Sequence, residues 1–293
     1  MATAIEMGLP NINIVFREAG IYAIRRGQQG VVALILKDAA SVAPQMIRKV
    51  TEIPEELNEF NKDQLNKALL GYQTPPRGVF IYVQPEETEG YNTALDYLET
   101  QKWDWLAIPE ITESETLEVA TWIKQLREME KKKVKAVLPN TPADHEGIVN
   151  FTTDEIKVGE RVYTTAEYCG RIAGLICGTP LKISCTYAPL AEVDSVKYMK
   201  REEQNAAIDR GEFILIQDDV KVKVGRGINS FVTTMSGKIN TFKKIKIVEA
   251  MDLIHDDIKR TAEDNYVGKY PNSYDNKVLL MVAIQAYFEG LAL

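Results

Sequence analysis

Residues able to do chemistry are few in this chain, and their spacing brings none of them together. Histidine occurs twice among 293 residues. His145 stands between Asp144 and Glu146, an acid–base trio on paper, but the trio lies in a proline-containing loop where adjacent side chains rarely converge on one point. No Gly-x-Ser-x-Gly elbow supplies a nucleophile. His145 is therefore expected at the surface, and its replacement by alanine is expected to cost no more than about 0.5 kcal/mol. His255, followed by Asp256 and Asp257, is expected on the exposed or interfacial side of a helix. Neither histidine has a second at the spacing of a metal-binding pair. Cys169, Cys177 and Cys185 lie in apolar surroundings without a short Cys-x-x-Cys knuckle, so they read as reduced core residues. Gly225-Arg226-Gly227 follows a strand but precedes another strand, which leaves no helix N-terminus to receive a pyrophosphate. A tight turn using the φ > 0 freedom of glycine accounts for it, and the lysine-bearing phosphate cradle of a P-loop is absent. The pairs Glu55-Glu56 and Glu86-Glu87 are expected at helix starts, where carboxylates complement the dipole. No catalytic, cofactor-binding or metal-binding residue is assigned.

The elements that would position these residues are legible from periodicity. Ile12, Ile14 and Phe16 alternate with polar or smaller residues in a strand-like arm. Gly30 to Leu36 is a continuous apolar run, the pattern of a strand buried on both faces. Next, Asn61 with Gln64 suggests a capping box for a helix that buries Leu65, Ala68 and Leu69 and stops at Gly71. Gly78 to Val83 predicts a strand, Tyr91 to Leu98 a helix, and Trp105 to Pro109 a short strand. Thr112 and Glu115 cap a helix expected to turn Leu117, Ala120, Ile123 and Leu126 inward, ahead of a strand over Val134 to Leu138. Trp103 and Trp105 flank the entry to a strand, with core packing the default and a subunit contact the alternative. Lys131 to Lys135 is taken as a solvated helix terminus.

Beyond Gly147 the pattern changes. Ile148 to Phe151 predicts a strand, Glu155 to Tyr163 a hairpin, and Thr164 with Glu167 the start of a helix carrying Gly170, Gly174 and Gly178. Glycines four apart flatten one face so that another backbone can approach. The remainder predicts a helix over Arg201 to Asp209, a hairpin over Glu212 to Val224, a further strand and two helices. The first of these is expected to bury Ile247, Met251, Ile254 and Ile258, the second Val278, Leu279, Val282 and Ala286. The fold class is thus α/β, an open, mainly parallel sheet with flanking helices, preceded by an extended arm and followed by an α+β module. The expected boundaries are 1–22 for the arm, 23–190 for the α/β domain and 191–293 for the module.

Composition excludes several classes. With 45% hydrophobic and 26% charged residues the chain is of ordinary globular type. A formal charge of -7 argues against a binder that neutralises nucleic-acid phosphates. The longest apolar run, Val278 to Ile284, falls well short of the ~20 residues that cross a bilayer, and no secretory signal is visible. A soluble protein retained where it is made is expected, without a membrane or nucleic-acid partner.

Several ordered stretches carry a family likeness. They are Met7-Gly8-Leu9-Pro10, Gly30 to Lys37, Asp144 to Thr153, and the turn Gly225-Arg226-Gly227-Ile228-Asn229-Ser230. Further on come Phe242-Lys243-Lys244-Ile245, the run Ile247 to Ile258, Tyr266-Val267-Gly268-Lys269 and Asn272 to Asn276. In this order the chain resembles contractile tail sheath proteins, the polymerising shells of contractile phage tails and related bacteriocins, and most of all the short sheaths of Gram-positive prophages. The resemblance implies a non-enzymatic structural subunit that assembles in the host bacterial cytoplasm and ends in a virion or phage-tail-like particle. Its implied partners are copies of itself in helically stacked hexameric rings, an inner tail tube protein and baseplate proteins. It further implies that the arm bearing Ile12, Ile14 and Phe16 joins neighbouring subunits, and that Asp252, Asp256, Lys259 and Arg260 are candidate tube-facing residues. Contraction would draw on energy stored in assembly. Similar proteins continue past the last apolar helix into a C-terminal arm, which is expected to be missing here. The alternative left open is a soluble α/β enzyme or nucleotide-binding protein whose site carries no familiar motif.

Overall fold

A computed structural model describes residues 30–219, 221–234 and 236–292, and the arm with Ile12, Ile14 and Phe16 lies outside them. The first half runs β1 (Val31–Asp38), β2 (Gln45–Ile47), α1 (Glu59–Leu69), β3 (Gly78–Pro85), α2 (Asn92–Glu99), β4 (Trp105–Ala107), α3 (Glu113–Glu128) and β5 (Lys135–Pro139). It continues with β6 (Ile148–Phe151), β7 (Ile156–Val158), β8 (Arg161–Tyr163), α4 (Thr165–Cys177), α5 (Arg201–Asp209), β9 (Glu212–Phe213), β10 (Leu215–Gln217) and β11 (Val222–Val224). Two long helices follow, α6 (Ile245–Asn265) and α7 (Tyr274–Ala292). The contacts divide the chain after Ala250 into a sheet-bearing unit and a helical unit.

In the sheet-bearing unit, seven strands pair in the order β2-β3-β1-β4-β5-β6-β9. All neighbours are parallel except β2, which runs antiparallel to β3. β1 is central, and its two-residue period serves two cores. Val32, Leu34 and Leu36 face a cluster with Leu65 and Ala68 of α1 and Ile172 and Leu175 of α4. Val31, Ala33 and Ile35 face Ala94, Leu95 and Leu98 of α2 and Val119, Ile123 and Leu126 of α3. Burial on both faces explains why the strand reads as an unbroken apolar run. α4 lies so close to α1 that a Cβ on Gly174 would stand 2.0 Å from the carbonyl oxygen of Ala68. The glycine face therefore works as expected.

Several local expectations need correction. The cap of α1 is Asn58, whose side chain accepts from Asn61 N–H, while Asn61 and Gln64 are buried within the helix. The start moves a turn earlier because Asp38 accepts the Asn58 N–H and the Asn61 side-chain amide, tying the helix to the end of β1. Glu55-Glu56 and Glu86-Glu87 occupy turns outside helices. Leu117 is 64% exposed, and Thr116 and Val119 take the inward positions of α3 instead. Trp103 and Trp105 are core residues, and Trp103 stacks on Trp122 at 5.8 Å. The break placed at 190/191 also fails, because β9 pairs with β6 in the main sheet and the unit continues to Ala250.

Among the helices that follow, α6 buries Val248, Asp252, Leu253, Asp257 and Thr261. Met251, expected inside, is 42% exposed, while Ile247, Ile254 and Ile258 are half-buried. In α7, Val278 and Leu279 are half-buried and Val282 and Ala286 exposed; Tyr287 is buried.

Candidate assembly surfaces

The loop from Asp144 to Gly147 is a clasp built from polar groups. Asp144 holds a left-handed backbone, φ 48°, and its Oδ1 accepts the N–H groups of Val232 at 2.7 Å and Thr233 at 2.9 Å. The Ser230 hydroxyl donates to the His145 carbonyl and accepts the His145 N–H. Glu146 meets Lys238 at 3.0 Å through both carboxylate oxygens. His145 itself is 5% exposed, which corrects its expected surface position. Its Nδ1 accepts the Gly147 N–H at 3.0 Å, and its Nε2 stands 3.6 Å from Glu128 and 3.7 Å from Glu146. Burial pushes its pKa down to about 4, against the opposing pull of Glu146 and with help from Arg127, Lys238 and Lys124. Ser230 bonds to the histidine backbone, not to the ring, so the trio joins two loops without making a nucleophile.

Two stretches singled out in the sequence also meet. Asn229 N–H donates to Lys243 O at 3.0 Å, its side-chain amide donates to Phe242 O at 2.7 Å, and Ile245 N–H donates to Gly227 O at 3.2 Å. The Gly225–Ser230 turn is thereby stapled to the Phe242–Ile245 stretch. Neither Gly225 nor Gly227 has a positive φ, contrary to the turn expectation. A Cβ on Gly227 would lie 2.7 Å from the Cys185 sulfur, so close packing explains the absence of a side chain there.

A third element lay hidden in the basic run. Lys135 is in β5 and 1% exposed; its ammonium pairs at 3.0 Å with Glu249, which also accepts the Trp105 indole N–H at 2.9 Å. This buried ion pair fixes the first turns of α6 on the sheet, so Lys135 is not part of a solvated helix end. The cysteine thiols are buried or half-buried, and burial pushes Cys185 up to about 12.

An open parallel sheet accepts nucleotides where its strand order reverses, here at the carboxyl ends of β1 and β4. That position presents Asp38 and Glu110 with Glu86 near them. Asp38 is already engaged by the Ala40 and Asn58 N–H groups and the Asn61 amide. The Glu110 carboxyl is raised, first by burial, with Lys37 opposing and Glu86 and Asp38 reinforcing. Such a crowd of carboxylates repels phosphate. Among the described residues no group of three or more His, Cys, Asp or Glu is placed to hold a metal, and no helix is long and apolar enough to cross a membrane.

Of the four candidate tube-facing residues, Asp252 is 4% exposed and so does not belong to the subunit surface. Asp256 meets His255 at 3.0 Å, Lys259 meets Glu263 at 3.9 Å, and Arg260 meets Asp257 at 2.7 Å. Asp257 is fully buried and accepts the Tyr287 hydroxyl at 2.8 Å, which ties α7 to α6.

Comparison with known proteins decides what this fold is for. Residues 85–230 match the phage tail sheath protein central domain, and residues 238–292 match the phage tail sheath C-terminal domain. The chain belongs to the phage tail sheath family. The tail sheath protein of Clostridium phage phiCD119 is 39% identical over 290 residues, which is 97% of this chain and 81% of that protein. Among solved structures, the sheath tail protein Lin1278 of Listeria innocua superposes with a TM-score of 0.79 at 17% identity, covering 96% of this chain and 88% of that one. The sheath complex of an extracellular contractile injection system in its contracted state superposes with a TM-score of 0.67 at 10% identity, covering 92% and 77%. The chain is a structural tail sheath protein, and the enzyme alternative receives no support from the family or the fold.

Proposed function

We propose that this sheath subunit polymerises with copies of itself into hexameric rings stacked helically around an inner tail tube, on a baseplate, and that the polymer contracts on energy stored in assembly. The observation that carries the reading is the sheath-family match, which runs through both sheath domains and most of the chain. The energetics follow from bistable interfaces: the extended polymer is kinetically trapped, and a local trigger propagates as each subunit exchanges weaker contacts for more extensive ones. Assembly takes place in the host cytoplasm before the subunit enters a virion or tail-like particle. The arm with Ile12, Ile14 and Phe16 reaches a neighbour and pairs through its backbone. Asp256, Lys259 and Arg260 are the tube-facing candidates that burial leaves standing.

The test uses assembled particles carrying the full chain, stripped of ATP and divalent ions and warmed or exposed to mild denaturant. Contraction with irreversible heat release is expected, and a strict requirement for ATP hydrolysis would sink the mechanism. Negative-stain imaging of the purified chain supplies the first check, with tubes or rings expected; a particle-free monomer at every concentration tried overturns the polymer reading.

A further inference from the structure

Charge is sorted along the sequence and then along the sheet. Between Lys221 and Lys246 there is no aspartate or glutamate, whereas from Gln84 to Glu118 the only basic residue is Lys102. The basic stretch builds one side of a cleft of about 210 Å³. Arg226, Lys243 and Lys244 line it over an apolar floor that includes Ile228 and Phe231, and Asp209 is the one carboxylate among the described lining residues. Arg226 and Lys244 are exposed and Lys243 half-buried, and none of the three pairs with a carboxylate among the described residues. The stapling of Gly225–Ser230 to Phe242–Ile245 is what brings these cations to one place.

The cleft sits at the amino end of the sheet. Gly211, in its wall, leads into β9, and Ser230 donates to the carbonyl of Ile148, the first residue of β6. At the opposite, carboxyl end, Glu86, Glu87 and Glu89 follow β3, all exposed, and Glu110 follows β4. Because β1, β3, β4, β5, β6 and β9 are parallel, these two ends are opposite poles of one unit. Neither pole can pair with its own kind, since like charges brought together cost several kcal/mol. Each complements the other on a second molecule. Such a contact is head-to-tail and extends a chain of subunits instead of closing a pair.

We propose that the cleft bearing Arg226, Lys243 and Lys244 seats the Glu86–Glu89 crest of a second copy of this chain. The proposal rests on the polymer reading and adds the contact by which one subunit orients the next. A polyanion or another tail protein would also meet the cations, but only a second copy offers an acidic pole whose own sheet then presents the same cleft again.

The test is a charge swap in the full chain. K243E/K244E and E86K/E87K are prepared separately and together, with far-UV circular dichroism and a thermal melt to confirm that each variant folds. Polymer is measured by sedimentation against protein and salt concentration. Each reversal alone is expected to raise the half-assembly concentration about tenfold or more, and the fourfold variant to recover most of that loss. Carbodiimide cross-linking of mixed light and heavy-isotope wild-type chains should join Lys243 or Lys244 to Glu86, Glu87 or Glu89 between copies. Wild-type assembly by K243E/K244E, a fourfold variant no better than its parents, or polymers lacking that cross-link would overturn this contact and leave the polymer reading intact. A wild-type chain that never self-associates would overturn both.

Discussion

Helices α4 and α7 are both rich in apolar residues, and the chain treats them in opposite ways. In α4 every residue from Tyr168 to Ile176 is buried, between the sheet and α1. In α7 Met281 is 65% exposed, Val282 56% and Phe288 47%, while Tyr287 is buried and bonded to Asp257. Apolar content alone therefore does not say what covers a helix. Isolated exposed apolar residues are ordinary, but several on one helix mark a surface suited to association. Both hydrophobic core clusters belong to the sheet-bearing unit, whereas α7 in the helical unit leaves Met281, Val282 and Phe288 exposed.

The largest expected effect that could break this contrast is at Gly174. Gly174→Ala puts a methyl into the backbone of α1 at Ala68 and should cost roughly 3 kcal/mol or more in urea unfolding, beyond the gain in helix propensity. Gly170→Ala should be far milder, because its nearest neighbour is a Leu34 methyl at 3.3 Å, which can shift. A tolerated alanine at Gly174 would mean that α4 is not held at its glycine-limited distance.

A smaller, pH-dependent effect belongs to His145. Its pKa falls from an ordinary 6.5 to about 4 in the folded chain, so between those values the unfolded chain binds more protons. Stability is complete above pH 6.5, declines as pH drops toward 4, and loses about 3 kcal/mol from this group by the end of that window. His145→Gln should flatten the decline in a pH series of unfolding midpoints, and an unchanged slope would show that the ring is not held neutral by burial. The smallest effect is expected in α7. Met281→Gln should change the stability of the unassembled subunit by no more than about 0.5 kcal/mol, and a large loss would make α7 a core helix like α4.

Much of the sheet was legible because burial on two faces writes itself as runs such as Val31 to Leu36. The caps at Thr112/Glu115 and Thr164/Glu167 were legible for a similar reason, since each is a local bond pattern. What escaped depends on partners distant in the chain. Lys135 looks like one more surface lysine until Glu249 meets it, and His145 looks polar and exposed until Ser230 and Glu146 enclose it. The two residues of β9 are too few to show a period. In α6 the buried stripe includes Asp252, Asp257 and Thr261, so a search for apolar spacing selects the wrong side. The candidate assembly surfaces were half legible: the sequence marked Gly225–Ser230 and Phe242–Ile245 separately, while their joining is a property of the fold.

The outermost strands of the seven-stranded sheet, β2 and β9, are three and two residues long, against eight in β1. A long flat border would offer any passing extended chain a ready template for backbone pairing, the route by which sheet proteins clump and form amyloid. Among the described residues, such a stranger pairing along β2 or β9 themselves would gain a ladder of only three or two residues. For a protein whose work requires crowding many copies together, brevity at the margins is a safeguard: it keeps dense packing from becoming indiscriminate precipitation.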